Sequence, residues 1–162
     1  MVSESQIRSA IIAVISANDG KARAHRRWRY PAQNRLAEWV NLFRDEDQKI
    51  NAYMVRRVRR FPTLRGIPGR LVKVEYVYEV RFYLGLFDSE DDSAASEEIA
   101  QARVDSLAAS FEADVTLGLG RCVSHGGLEL PTDFEDVLVG DWAAHRAVLR
   151  ISVEVANVEC QE

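Results

Sequence analysis

The chain has 162 residues, 47% of them hydrophobic and 28% charged, with a formal net charge of −4; this suits one packed core and argues against disorder. No run of about 18 apolar residues occurs, which excludes a membrane-spanning helix, and the amphipathic opening with Glu4 is unlike a secretory signal. Cys122 and Cys160 form no CxxC pair and are expected to be free thiols in a reducing compartment, with the protein made in cytosol.

Ser3-Glu4-Ser5-Gln6 matches a capping box, so a helix is predicted from Ser3. Ile7, Ile11, Val14 and Ile15 supply its apolar face, and Asn18-Asp19-Gly20 its stop. Residues 21–33 are rich in arginine and aromatics, including Arg26, Arg27, Trp28 and Tyr30. They have no clean period and read as a basic arm or loop. Leu36, Trp39, Val40 and Phe43 fall at helical spacing and predict a second, short helix, followed by a solvated link at Arg44–Asp47.

Ile50, Ala52 and Met54 alternate and open a strand expected to run through Arg60. Phe61–Arg70, with two prolines and two glycines, is predicted to be a loop. The strongest pattern is Leu71–Leu86. Val72, Val74, Tyr76, Tyr78, Val80, Phe82, Leu84 and Leu86 share one face; Lys73, Glu75, Glu79 and Arg81 share the other. At ~3.3 Å per residue this strand would be roughly 50 Å long, which calls for a bulge or an overhanging end.

An acidic turn at Asp88–Ser96 leads into a third helix, whose buried face is Ala100, Val104, Leu107, Ala108, Phe111 and Val115. Gly118 and Gly120 end it, and Ser124–Gly127 is read as a loop. A strand follows around Glu135–Val139, then a turn at Gly140-Asp141. A closing strand alternates through Ala147, Leu149, Ile151, Val153 and Val155. The expected fold is a single α+β domain over 1–162, a mostly antiparallel sheet with two or three helices packed on one face.

Charge is unevenly distributed along the chain. Residues 1–80 hold 16 Lys/Arg against 8 Asp/Glu, a balance of +8, and residues 81–162 hold 5 against 17, a balance of −12. If the halves occupy different surfaces, the folded molecule has a basic and an acidic side, which favours salt-sensitive head-to-tail association. If the elements interleave, the polarity cancels.

Motifs for chemistry are sparse. Cys122, His125, His145 and Cys160 do not have the paired-turn spacing of a zinc site. Asp88, Glu90 and Asp92 copy the start of a calcium loop, but Ser93 and Ile99 stand where Gly and Glu are required. There is no GxSxG, Walker A or GxGxxG, and no catalytic, metal or cofactor residue is assigned. The basic cluster Arg56, Arg57, Arg59 and Arg60, with Trp28 of the arm, stands out as a candidate interface. Arginine and aromatics anchor protein interfaces, and they also bind phosphates and bases.

Taken in order, these segments resemble a tail terminator, or tail completion protein, of long-tailed bacteriophages. The points of similarity are the helix Ser3–Ser16, His25-Arg-Arg-Trp28, Leu36-Ala-Glu-Trp39 and Lys49–Met54. Tyr78–Leu86, the alanine-rich acidic helix and His145–Glu154 continue the series. The resemblance implies a structural, non-enzymatic virion protein, made in the bacterial host cytoplasm and assembled as a homo-oligomeric ring, commonly a hexamer. The ring would cap the tail tube and join a head-completion or neck protein, with DNA crossing its lumen. Another head–tail connector, or a nucleic-acid-binding or packaging accessory protein using the basic segments, is the alternative.

Overall fold

Capping, alternation and two shifts of strand register account for most of the architecture. The computed structural model describes residues 2–26, 36–64, 71–86, 95–130 and 134–156. Helix α1 (Glu4–Asn18) starts at the predicted capping box, with Ser3 Oγ accepting from the Gln6 N–H and Gln6 Oε1 from the Ser3 N–H. Its Ile7, Ile11 and Ile15 are fully buried, each contributing about 1.5–3 kcal/mol of transfer free energy. The stop differs from expectation. Asp19 takes the cap position, and its carboxylate accepts from the Lys21 and Ala22 N–H groups. That side chain turns the chain without needing glycine in a left-handed conformation.

Of the basic arm, Arg23–His25 form strand β1; Trp28 lies outside the described residues. Helix α2 (Leu36–Asn41) is short, as predicted. The following link is not simply solvated. Asp45 is buried and its carboxylate accepts from the Lys49 N–H, closing a tight turn between the bridged residues Arg44 and Ile50.

Strand β2 (Asn51–Leu64) continues four residues beyond the expected end at Arg60, through Pro62. Strand β3 (Leu71–Gly85) lies antiparallel to it, with Pro62 opposite Val74. Proline is tolerated in β2 because, among the described residues, only β1 pairs on its outer side, and only at Ala52–Met54. The register shifts twice: between Arg57 and Arg59, where β2 carries the extra residue Val58, and between Thr63 and Leu64, where the extra residue is Val72 of β3, the irregularity anticipated for that long strand.

Helix α3 (Ala95–Ala113) ends before Val115, which is exposed rather than on the buried face. Leu117, Gly118 and Gly120, all at positive φ, reverse the chain. The segment read as a loop at Ser124–Gly127 contains strand β4 (Val123–His125). Strand β5 (Glu135–Val139) and strand β6 (Trp142–Ala156) form a hairpin through Gly140-Asp141.

The sheet order is β1-β2-β3-β6-β4, with β5 also on β6; every pairing is antiparallel except β1 with β2. This is one α+β domain of three helices and six strands among the described residues. Helix α1 lies over β1 and β2, α3 over β3 and β6, and both cover the face bearing Tyr53, Val55, Tyr78, Val80, Leu149 and Ile151. The helices do not all share that face. Val40 of α2, with Phe43 just after it, packs against Ala52, Met54 and Tyr83, whose register places them on the opposite side. No described helix is long and apolar enough to cross a membrane. The expectation of free thiols is overturned: Cys122 is disulfide-bonded, and the sequence's other cysteine, Cys160, lies outside the described residues.

Candidate functional site

The four arginines of β2 do not form one patch. Side chains alternate along a strand, and the extra residue at Val58 resets the alternation. Arg56 pairs in register with Glu79 and Arg59 with Val77, both on the face away from α1 and α3. Arg57 and Arg60 oppose Tyr78 and Tyr76, on the helix-bearing face. Arg57, Arg59 and Arg60 are exposed, while Arg56 is half-buried. The bulge therefore gives the β2 strand a basic fringe on both faces.

Beyond the apolar cluster under α2, the open face of the sheet carries a charged ladder. Arg56, Glu79 and Arg150 align across β2, β3 and β6. Glu79 is buried and accepts from Arg81 at 2.9 Å. Further along, Glu75 sits opposite Glu154, whose charge is met by Lys73 at 2.7 Å. Such pairs in partly exposed positions contribute little stability each, but they fix which charge a partner would meet.

Over β3 and β6, α3 exposes Glu97, Glu98, Asp105 and Glu112. Its one basic residue, Arg103, is turned inward and bonds Asp19 at 2.7 Å. The acidic residues of α3, over β3 and β6, and the basic fringe of β2 thus belong to different elements and form separate exposed surfaces. The polarity visible along the sequence persists at these two places, although Lys73, Glu75 and Glu154 cancel it locally on the open face.

Two clusters were not anticipated. In the first, Ser96 Oγ lies 2.9 Å from His145 Nε2, and His145 Nδ1 lies 2.7 Å from Asp136 Oδ1. The order of atoms is that of a serine–histidine–aspartate relay. Access is not: Ser96 is 0% exposed and His145 6%, whereas a nucleophile must meet its substrate. The cluster ties the first turn of α3 to the β5–β6 hairpin. No spacing signal could group residues 96, 136 and 145; they meet only because β5 pairs with β6 beneath α3.

The second joins the end of α1 to α3 and β2. Asp19 accepts from Arg103 and, at 3.4 Å, from Asn51 Nδ2, while Asn18 Oδ1 accepts from Ser106 and Ser110. The neighbouring Tyr53 is fully buried, and desolvation, with the Asp19 charge adding to it, pushes its phenol well above the ordinary value. Burial does the same to Tyr78, whose hydroxyl donates toward the Glu4 backbone carbonyl and carboxylate at 3.4 Å. Among the described residues no group of histidine, cysteine and acidic side chains could hold a metal ion.

Comparison with protein-family models and with curated proteins found no match.

Proposed function

We propose that this protein is a ring-forming structural subunit, the tail terminator of a long-tailed bacteriophage. Its ring caps the tail tube and presents the joint to the head. The observation that supports the oligomeric part is that the exposed basic fringe of β2 and the exposed acidic residues of α3 are two unlike surfaces of one subunit. Contacts between unlike surfaces of identical subunits are heterologous, and when the rotation closes they generate rings. Complementary charge supports such a contact and sets its register. The phage assignment rests on the order of segments quoted above, and the partners it implies are a tail-tube protein on one side and a head-completion protein on the other.

Light scattering at low and moderate salt tests the reading. A ring of six 18.3 kDa chains has a mass of about 110 kDa, and salt should loosen it. Replacing Arg57 and Arg60 with glutamate should leave a folded monomer. Adding Glu97→Lys and Glu98→Lys to that variant should restore association, because the two changes are made on opposite partners of one contact. A monomer at both salts that also ignores tail-tube ends would sink the proposal. Steeply salt-dependent retention of DNA by such a monomer would instead favour the nucleic-acid-binding alternative.

A further inference from the structure

A cleft of about 440 Å³ opens where β2 begins and β3 ends, at the end of the sheet beside α3. That volume is typical of sites for small ligands or single anchoring side chains. Three of the exposed large apolar residues, Leu86, Ile99 and Trp142, line it together. The same cleft is lined by Asn51, which is only 2% exposed. Asp19 fixes the orientation of the Asn51 amide, because a carboxylate can only accept and so must face Nδ2. This leaves Asn51 Oδ1, a buried acceptor, with no donor among the described residues. A buried amide oxygen ordinarily has a partner.

The charges around the cleft are already matched. Lys21 bonds Asp47 at 3.0 Å, Arg103 bonds Asp19, and the Asp45 carboxylate accepts from the Lys49 N–H. Lys49 has a further engagement of its own. An ionic ligand would enter among partners that do not need it and would be desolvated for no return. Apolar walls, a single unfilled acceptor and balanced charge define a complementary guest. We propose that the cleft binds a compact neutral group with an apolar body and an N–H donor, the chemistry of an indole. The proposal does not depend on ring formation.

Nitrogen-15 NMR titration of the full chain tests it, with indole and N-acetyltryptophanamide as the probes. Saturable shifts are expected at the Trp142 indole N–H, the Asn51 side-chain amide and the Ile99 backbone amide. Saturation by indole itself identifies a free aromatic ligand. Saturation by the blocked amino acid alone identifies an anchor from a partner polypeptide. Either outcome upholds the site. Asn51→Leu should weaken binding about tenfold, the loss expected for one buried hydrogen bond. Should that variant not fold, Trp142→Ala decides, with several-fold weakening expected at this exposed wall. No saturation by either probe up to about 10 mM, well above the dissociation constants of ordinary specific ligands, would overturn the proposal. So would an affinity unchanged in the deciding variant.

Discussion

Tyr53 shows how one buried hydroxyl makes stability depend on pH. Burial holds its phenol protonated in the folded state, so the folded pKa lies above the unfolded value of about 10. Stability is then intact below about pH 10 and falls as pH rises toward the folded value, because only the unfolded chain ionises in that window. The slope from Tyr53 alone is about 1.4 kcal/mol per pH unit, and Tyr78 acts in the same direction. Urea midpoints between about pH 9 and about pH 11 should therefore drop steeply, and Tyr53→Phe should flatten the drop. Equal drops in both proteins would show that Tyr53 is not the group responsible. The Ser96 cluster makes a contrasting case. Its relay order suggests reactivity, yet its burial predicts that a fluorophosphonate probe leaves native Ser96 unmodified. Ser96→Ala should cost about 1–3 kcal/mol, since it strands one buried nitrogen of His145. Rapid labelling of the native protein would mean that Ser96 can be reached after all. None of these three residues was legible as a cluster in the sequence, because hydrogen bonds across 49 and 9 positions leave no periodic trace.

At the scale of elements, the legible features were those whose pattern is local. The capping box of α1, the apolar stripe of α3 and the alternation of β3 all stand where their spacing predicted. The misses share a physical origin. Pro62 and its neighbours read as loop, but a strand can keep a proline where no partner needs its N–H, and only pairing partners decide that. Asp45 read as solvated, but it is buried because the chain around it turns back on itself. Strand β4 is three residues long and owes its existence to β6. The Gly140-Asp141 turn was legible, and its glycine is doubly constrained. Gly140 has φ of 64°, and a Cβ there would come within 2.5 Å of Val40 Cγ2. The turn residue is therefore also the place where the hairpin closes on α2. Gly140→Ala should destabilise the protein by about 1–3 kcal/mol or more, combining backbone strain with a clash. Thermal denaturation checks this, and an unchanged melting temperature would contradict the close approach.

For the whole molecule, the sequence established the class of fold but not how its charge is arranged in space. The four β2 arginines were expected to act together, whereas the bulge at Val58 sends two to each face of the sheet. A single inserted residue of this kind is invisible to a pattern read from side-chain types alone, since Arg56–Arg60 looks the same with or without it. The separation between this fringe and the acidic α3 was only half legible, because sequence halves need not become surface halves. The architecture also has a consequence in time. Strand β3 is hydrogen-bonded along most of its length on both sides by two long strands, β2 and β6. Its amides cannot meet water by fraying at an edge; one neighbour must first come away. Amide exchange should therefore be slowest at Val74–Leu84, at a rate set by global unfolding, and faster along β2 beyond Met54. The domain would thus keep its central ribbon shut while its rim opens and closes many times, so that surfaces at the margin can adapt to a neighbour without the interior ever coming apart.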